Sequence, residues 1–391
     1  MTTAIPPDTA TRIHWREGDV EHSALWRSQS GMPAPKKVVV ANDQTPADSA
    51  YRLACEGTAL LWRGDFQNAR QLLQALARRA DAPTKGKRAK APKVAATPAE
   101  AFHLHRQAQS QRARTLAMLL IPFEADYSIA LRRAPDVALA CNEAYGRPTE
   151  PFVASLRELL GVIGAHEWRK NGVQTPMLGE GARIHPWYGV FSPIRGEYLQ
   201  LVAEAPLPVS AGASLAFDVG TGTGVLAAIL ARRGVERVVA TDMDSRALSC
   251  ARENLQRLQL GAQVEVVEAD LFPPGRAQLV VCNPPWLPGR PSSAIEYAIY
   301  DPDSRMLKGF INGVGAHLAD GGEAWLILSD LAEHLGLRSR EQLLDWFDQA
   351  GLAVIERIDT RPVHPRASDA ADPLHAARAA ETTSLWRLRA R

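Results

Sequence analysis

The stretch that decides the fold of this 391-residue chain is Phe217-Asp218-Val219-Gly220-Thr221-Gly222-Thr223-Gly224. It lies between a short apolar segment, which predicts a strand, and a second apolar segment from Val225, which predicts a helix. Alternating glycines let the backbone pass close to a ligand, and the helix start supplies free N–H groups. The spacing matches neither G-x-G-x-x-G nor G-x-x-x-x-G-K-[ST], which argues against a nicotinamide-dependent dehydrogenase and a P-loop nucleotidase.

Strand-like and helix-like segments alternate on both sides of the helix that follows this loop. The predicted strands cover 215–219, 237–242, 263–268, 277–282, 323–329, 352–359 and 384–388. The predicted helices cover 225–233, a segment ending near 258, 304–318 and 339–350. Such alternation is typical of a parallel sheet covered by helices on both faces. We therefore predict an α/β fold with a seven-stranded, mostly parallel sheet.

Two aspartates follow the second and third predicted strands. Asp242 ends the second strand, 22 residues after Gly220, where a carboxylate can accept both hydroxyls of a ribose. Asp270 follows the third strand at the same edge of the sheet, where it can accept an adenine amino hydrogen. The alternative role for either aspartate alone is a helix cap or a turn. Together with the glycine loop, the two aspartates indicate an adenosine derivative bound across this edge.

The fourth predicted strand runs into Asn283-Pro284-Pro285-Trp286, and Pro-Pro is poorly suited to a strand interior. Here the sequence resembles the class I S-adenosylmethionine-dependent methyltransferases, in particular those with an Asn-Pro-Pro-aromatic motif that methylate nitrogen. The resemblance is good over 216–329 and reaches weakly to the carboxyl terminus. It implies a Rossmann-like class I methyltransferase fold, S-adenosylmethionine as the cofactor, and transfer of a methyl group.

The resemblance also implies a role for each element. The glycine loop holds the methionine part of the cofactor, the acid after the second strand holds the ribose, and the acid after the third strand meets the adenine. The cofactor-binding residues so implied are Asp218, Gly220, Thr221, Gly222, Gly224, Asp242, Asp270 and Leu271. The catalytic residues so implied are Asn283, Pro284, Pro285 and Trp286.

The chemistry of nitrogen methylation agrees with this motif. An amide or exocyclic amine is a poor nucleophile because its lone pair is delocalised. If Asn283 Oδ1 and the Pro284 carbonyl accept its two N–H bonds, the nitrogen can become tetrahedral, and the positive charge that develops on it is stabilised. Trp286 either stacks on the planar acceptor or closes the loop as a core aromatic. Positioning for in-line displacement does most of the work, so no metal is required.

Two kinds of acceptor stay open. One group with this motif methylates the glutamine side chain of release factors or a ribosomal protein, and another methylates exocyclic amines of adenine or guanine in RNA or DNA. Residues 184–202 loosely resemble the segment before the cofactor loop of the glutamine enzymes, but Ser192-Pro-Ile-Arg-Gly-Glu-Tyr198 departs from their pattern, as does the Trp after Pro-Pro. The residues that instead suit a base-stacking, phosphate-contacting surface are Trp168, Arg183, Trp187, Tyr188 and Arg195.

The chain before residue 181 carries no predicted catalytic constellation. We expect a mixed or helical region over 1–83 with an irregular first 45 residues, a basic linker over 84–96, a helical domain over 97–180, and the cofactor-binding domain over 181–391. The linker is either a solvated tether or an RNA-binding arm. Leucines that include Leu60 and Leu61 recur at helical spacing over about 48–80, with Asp65 as a new N-cap after a break. A later helix is expected to end at Gly172 as a left-handed C-cap. Thr97-Pro-Ala-Glu100 predicts a capped helix start, and the whole amino-terminal region is expected to be mainly helical.

Composition limits the remaining classes. A net charge of +2 argues against a whole-chain polyanion binder, and neither a signal peptide nor a membrane span is recognisable, so we expect a cytoplasmic protein. The four cysteines and ten histidines are dispersed, so no metal is assigned.

The amino-terminal half, the basic linker and the loop over 361–380 favour a macromolecular acceptor, which is a release factor, a ribosomal protein or RNA. The loop is either a lid or binding element beside the active site or a disordered insertion. The alternative is a non-catalytic RNA- or ribosome-binding protein on a methyltransferase-like fold. Degenerate copies of that kind usually lose the glycine loop or the Asn-Pro-Pro motif, whereas this chain keeps both.

Overall fold

A computed structural model of the chain describes residues 11–82, 95–147, 150–193, 196–208, 214–291, 294–362 and 372–391. The chain divides into two compact units. The first comprises Met1–Val94 and Leu104–Glu167, and the second comprises Ala95–His103 and Trp168–Arg391.

The first unit contains a six-stranded sheet. The strands are β1 (Arg12–Glu17), β2 (Val20–Trp26), β3 (Lys37–Ala41), β4 (Thr58–Trp62), β5 (Leu119–Phe123) and β6 (Phe152–Ser155). The helices are α1 (Ala47–Cys55), α2 (Phe66–Asp81), α3 (Pro98–Leu116), α4 (Ala138–Tyr145) and α5 (Leu156–Asn171), of which α3 and α5 also supply residues to the second unit. The strands are hydrogen-bonded in the order β1-β2-β6-β5-β4-β3.

This sheet corrects the expectation of a mainly helical amino-terminal region. The first 45 residues, expected to be irregular, contain three strands. Leu60 and Leu61, assigned to a helical pattern, lie in β4, whose five residues are all buried. A short, fully buried strand has a continuous apolar run, which hydrophobic periodicity does not distinguish from part of a helix.

The helical domain expected over 97–180 is wrong for a related reason. Its segments 119–123 and 152–155 are strands that pair with each other, while β5 also pairs with β4 and β6 with β2. These strands belong to the same sheet as the segments before residue 83. Most of the basic linker predicted over 84–96 lies outside the described residues.

Local capping signals predicted the helix ends correctly. The Asp65 side chain accepts the Gln67 N–H at the start of α2. Thr97 Oγ1 accepts the Glu100 N–H at the start of α3. Gly172, which follows α5, has a φ of +67°, as expected for a left-handed C-cap. Capping depends on a few adjacent residues, so it was predictable where the sheet was not.

The second unit contains the predicted strand and helix alternation. Its strands are β7 (Val173–Gln174), β8 (Arg183–Ile184), β9 (Leu215–Val219), β10 (Arg237–Asp242), β11 (Val264–Glu268), β12 (Ala277–Cys282), β13 (Leu318–Ser329), β14 (Leu352–Thr360) and β15 (Thr383–Ala390). Its further helices are α6 (Glu197–Glu204), α7 (Val225–Arg232), α8 (Ser245–Arg257), α9 (Arg305–His317), α10 (Leu331–His334), α11 (Arg340–Gln349) and α12 (His375–Ala380).

Seven of these strands form one sheet in the order β11-β10-β9-β12-β13-β15-β14. The pairings from β11 to β13 are parallel, and β15 is antiparallel to both of its neighbours. This confirms the predicted α/β fold with a seven-stranded, mostly parallel sheet. Because β9 and β12 are neighbours and Val219 pairs with Cys282, the glycine loop and the Asn-Pro-Pro-Trp segment leave the same edge side by side.

Both faces of this sheet are covered by hydrophobic cores. Successive residues of β9 alternate between the faces: Ala216 packs with α6 and α7 in one core, and Phe217 packs with α9 and α11 in the other. All of α7 except its last residue is buried. The doubly covered sheet is therefore a rigid support for the loops at its carboxyl edge.

Candidate active site

The glycine loop after β9 is fastened to the next strand. The Gly220 and Thr221 N–H groups both donate to the Thr241 carbonyl oxygen, at 2.9 and 2.8 Å. Gly220, Gly222 and Gly224 have φ values of +74°, +55° and +81°, in the left-handed region that residues with a side chain rarely adopt. The loop conformation therefore requires glycine.

A Cβ atom at two of these glycines would also come close to a neighbouring residue. A Cβ atom at Gly220 would lie 2.5 Å from Met306 Cε, and one at Gly224 would lie 3.2 Å from Ala251 Cα. Gly224 thus allows the approach of α8, whereas Gly220 presents bare backbone to the cavity described below.

Asp218 lies beneath the loop and is fully buried. Its Oδ2 accepts hydrogen bonds from Thr221 Oγ1 at 2.6 Å and from the Ala227 N–H at 3.0 Å. Its Oδ1 has no hydrogen-bond partner among the described residues. Burial raises the pKa of this carboxyl to about 6, against the lowering effect of its two hydrogen bonds. An unpaired carboxylate oxygen in such a place is stabilised by a cationic ligand group.

Asp242 ends β10 beside the same loop. Its Oδ2 accepts the Gly222 N–H and its Oδ1 accepts the Asp244 N–H, both at 3.0 Å. Partial burial raises the pKa of Asp242, and no cation of the described chain forms an ion pair with it. The carboxylate therefore keeps acceptor capacity for a ligand.

A cavity of about 300 Å³ opens at the carboxyl ends of β9, β10 and β12. That volume is at the lower end of the range for small-molecule pockets, roughly 300–1,000 Å³. The residues of the two sequence motifs and the second-strand acid that line it are Gly220, Thr221, Gly222, Asp242, Asn283, Pro284, Pro285 and Trp286. A second cavity of similar volume shares Gly220, Asp242 and Met306 with the first.

The structure thus brings most of the predicted site residues to one place. Asp270 and Leu271 line the second cavity, and the Asp270 carboxylate pairs with Arg305 at 3.0 Å, with both side chains more than half exposed. Asp218 and Gly224 line neither cavity, because both act beneath the loop.

The Asn-Pro-Pro-Trp segment is closed by a side-chain hydrogen bond. Trp286 Nε1 donates to Asn283 Oδ1 at 2.8 Å. The half-buried indole packs against the cores on both faces of the sheet and also lines the cavity. Trp286 therefore has a structural role in the loop as well as a surface that faces the cavity.

Comparison with known proteins agrees with this geometry. Residues 200–352 match the family model described as methyltransferase small domain. The matched residues lie in the second unit, so the resemblance to class I methyltransferases falls there. S-adenosylmethionine is the cofactor of this class.

Three relatives show the range of similar proteins. The chain is 33% identical over 160 residues to a ribosomal protein L11 methyltransferase of Geobacter metallireducens, covering 36% of this chain and 51% of the relative. It is 32% identical over 161 residues to a release factor glutamine methyltransferase of Cereibacter sphaeroides, covering 37% and 55%. It is 30% identical over 154 residues to a tRNA1(Val) (adenine(37)-N6)-methyltransferase of Bacteroides fragilis, covering 35% and 64%. The matched regions thus span about half to just under two thirds of these relatives.

Several residues of the methyltransferase site were not predicted. Met306 reaches the cavity because Asp301 caps α9: its carboxylate accepts the Met306 and Leu307 N–H groups, each at 3.1 Å. Asp303 and Ser304, just before α9, have φ values of +56° and +54°. The Asp-Pro-Asp-Ser run before an apolar helix is the signal that could have placed this helix start at the site.

Glu381 also lines the cavity, although it lies about 100 residues after the Asn-Pro-Pro-Trp segment. It is 3% exposed, and its Oε1 accepts the Ser329 hydroxyl at 2.7 Å. Antiparallel pairing of β15 with β13 brings it to the carboxyl edge of β13. No local pattern in the sequence indicates this placement.

Trp187, one of the residues considered for a base-stacking surface, has contacts within the second unit. The Trp187 indole donates to Glu253 at 2.7 Å, and the Arg169 guanidinium lies 4.3 Å from its ring. Trp168 is 48% exposed. Arg195 lies outside the described residues, as do residues 363–371 of the loop predicted to bind the acceptor.

Among the described residues, no three or more His, Cys, Asp and Glu side chains are arranged to hold a metal ion. None of the helices described here has the length and apolar character needed to cross a membrane.

Proposed function

We propose that this protein transfers a methyl group from S-adenosylmethionine to a planar amide or exocyclic amine nitrogen of a macromolecule of the translation apparatus. The observation that carries the proposal is the meeting of the glycine loop, Asp242 and the Asn283–Trp286 segment around one cavity. The names of the three relatives, which cite ribosomal protein L11, a release factor and a tRNA adenine, support a translation-related acceptor. A cytoplasmic location is part of the proposal.

The residues around the loop fit the methionine part of the cofactor. The Oδ1 of buried Asp218 has no partner among the described residues, so the negative charge beneath the loop favours a ligand ammonium above it. The exposed backbone of Gly220 and Gly222 allows the chain to approach closely. Thr221, which Asp218 holds in place, supplies a further wall of the cavity.

The two cavities fit the nucleoside part. Asp242 lines both of them, and its remaining lone pairs suit the two ribose hydroxyls. Asp270 and Leu271 line the second cavity, where the adenine would lie. Met306, which lines both cavities, is a flexible apolar side chain suited to pack against the nucleoside.

The acceptor nitrogen lies against Asn283 and Pro284 in this proposal. The cofactor supplies a methyl group on a sulfonium that leaves as a neutral thioether. Asn283 Oδ1 and the Pro284 carbonyl accept the two N–H bonds of the acceptor, so its lone pair is released from conjugation and turned toward the methyl group. The same two oxygens stabilise the positive charge that develops on the nitrogen, and the methylated nitrogen then loses one N–H proton to water.

Both acceptor classes agree with this site, since a glutamine amide and an exocyclic base amine each present two N–H bonds on a planar nitrogen. The partner is accordingly a release factor, a ribosomal protein or an RNA. The non-catalytic alternative receives no support from the site, because the glycine loop, Asp242 and Asn283 all meet at the cavity.

Methyl transfer from tritiated S-adenosylmethionine tests the proposal. The purified protein is incubated separately with total tRNA, ribosomal RNA, ribosomal proteins and recombinant release factor, and the label is located after digestion. We expect label in one fraction, on a base amine or on glutamine. No label in any fraction, together with tight binding of S-adenosylhomocysteine, would instead support the non-catalytic alternative.

Asn283→Ala is the matched control for this assay. It removes the side-chain acceptor of the substrate N–H, so we expect transfer to fall by at least about 100-fold, the scale of losing one preorganised group at a reacting centre. Affinity for S-adenosylhomocysteine, measured by calorimetric titration, should stay within a few fold of the wild type. Loss of cofactor binding in this variant would remove Asn283 from the acceptor site.

A further inference from the structure

The hydrogen bond between Trp286 and Asn283 determines which way the Asn283 amide faces. An indole N–H is only a donor, so the Asn283 atom 2.8 Å from Trp286 Nε1 is the amide oxygen and not the nitrogen. The oxygen has two lone pairs, of which the indole occupies one. The second lone pair stays available to another donor.

We propose that Trp286 is a positioning residue that locks the Asn283 amide with its oxygen held as the acceptor of the substrate N–H. This inference rests on the proposed function, since it assigns a role within the same methyl transfer. Stacking and loop closure are the two roles predicted for the Trp286 ring. The lock is a third role, which only the N–H edge of the ring can perform.

The lock matters because a primary amide can turn over at small steric cost. Rotation by 180° exchanges the oxygen for an NH₂ group of nearly the same size. The turned amide would direct donors at the two donors of the acceptor nitrogen. Asn283 is only half-buried, so packing alone does not prevent this rotation. The indole N–H prevents it, because the rotated amide would place its NH₂ donor opposite the indole donor.

The donor is itself held in place. The Trp286 ring packs against the hydrophobic cores on both faces of the sheet. Pro284 and Pro285 separate the two partners, and their rings restrict the backbone φ between them. The span from Asn283 to Trp286 is therefore a short, stiff turn closed by its own side-chain bond. Phenylalanine or tyrosine at position 286 would offer the flat ring without a donor at that edge.

Steady-state kinetics of Trp286→Phe and Trp286→Tyr test the lock with the acceptor fraction that takes up label in the transfer assay. We expect kcat to fall about tenfold in both variants, the scale of one lost hydrogen bond. The KM for the acceptor should stay within about threefold, because a flat ring remains. Trp15→Phe is the matched control, since it removes an indole N–H that donates to Glu17 at 2.7 Å in the other unit.

A double-variant cycle separates locking from packing. In an Asn283→Asp background both oxygens are acceptors, so turning the side chain over presents no donor and the lock is unnecessary. Trp286→Phe should therefore lower kcat by less than about twofold in that background, against about tenfold in the wild type. An equal loss in both backgrounds would assign the effect to packing and overturn the inference.

The remaining outcomes are distinct from one another. If Trp286→Phe and Trp286→Tyr raise only the KM, or leave kcat within twofold, the indole N–H does not position Asn283 and the inference fails. If one variant does not fold, as judged by S-adenosylhomocysteine binding, the other decides. If the wild type transfers no methyl group to any fraction, the proposed function fails instead.

Discussion

Asp65 in the first unit and Asp242 in the second occupy comparable places in two different sheets. Asp65 follows the parallel strand β4 and precedes α2. Asp242 ends the parallel strand β10 and precedes α8. Asp65 Oδ2 accepts bonds from Arg132 and Arg133 at 2.8 and 2.7 Å, which hold the pKa of Asp65 well below its usual range. Asp242 accepts only backbone N–H groups, and burial raises its pKa.

The difference shows how a structural carboxylate is distinguished from one kept for a ligand. The acceptor capacity of Asp65 is used within the chain, where it caps α2 and holds the loop that carries the two arginines. Asp242 keeps lone pairs beside two cavities and forms no ion pair with any described residue. Perturbed carboxylates of the second kind mark candidate binding sites.

The largest expected difference between the two aspartates is in cofactor binding. Asp242→Ala should weaken the binding of S-adenosylhomocysteine by about 1–3 kcal/mol, roughly 5- to 150-fold in affinity, because hydrogen bonds to a charged group are lost. Asp65→Ala, the matched variant, should leave this affinity unchanged and lower the thermal midpoint by a few degrees through loss of a helix cap. Calorimetric titration and thermal unfolding measure the two effects.

Two results would contradict this distinction between Asp65 and Asp242. Wild-type affinity in Asp242→Ala would remove Asp242 from the ribose role. A cofactor defect in Asp65→Ala without a loss of stability would mean that the arginine-paired carboxylate also serves the ligand.

The pH dependence of binding tests Asp218, a second carboxylate that forms no ion pair with the described residues. Its pKa of about 6 means that the free carboxyl takes up a proton below pH 6, whereas a ligand ammonium favours the ionised form. S-adenosylhomocysteine affinity should therefore fall about tenfold per pH unit between pH 6 and 4. The stability of the ligand-free domain changes in the opposite sense. Because folding raises the pKa of Asp218, the protonated carboxyl stabilises the folded state at low pH, and this stabilisation is lost as the pH rises through about 6.

Asp218→Asn removes the titrating group and should give weak, pH-independent binding over the same interval. A variant that keeps the wild-type slope would show that another group controls the pH dependence, and Asp218 would then be only a support for the loop.

The smallest effect is expected at Asp270, which resembles Asp65 in having an arginine partner but is more than half exposed. Exposed ion pairs contribute little free energy to stability or to the positioning of a side chain. Arg305→Ala should therefore change S-adenosylhomocysteine affinity by less than about threefold. A loss of tenfold or more in calorimetric titration would instead assign Arg305 itself to the cofactor, and pairing with arginine would no longer separate structural from ligand-binding carboxylates.

The second unit was more predictable from the sequence than the first. Its strands are short apolar runs separated by helices with clear ends, and parallel strands bring their following loops to one edge. The order of these segments along the chain was therefore enough to place the glycine loop and Asn283–Trp286 together. In the first unit, β4 and β5 are buried strands next to helices rich in the same leucines and alanines, so periodicity did not separate them.

By itself, the sequence determined the features that depend on a few adjacent residues. These are the glycine loop after β9 and the helix caps at Asp65 and Thr97. Only the tertiary structure decided which carboxylates pair with arginines and which lie beside a cavity without such a pair. It also decided that Met306 and Glu381 line the cavity. The physical reason is that conformation and capping arise from local sterics and hydrogen bonds. Burial and charge pairing, in contrast, depend on residues that lie far apart in the chain and meet only when the sheets form.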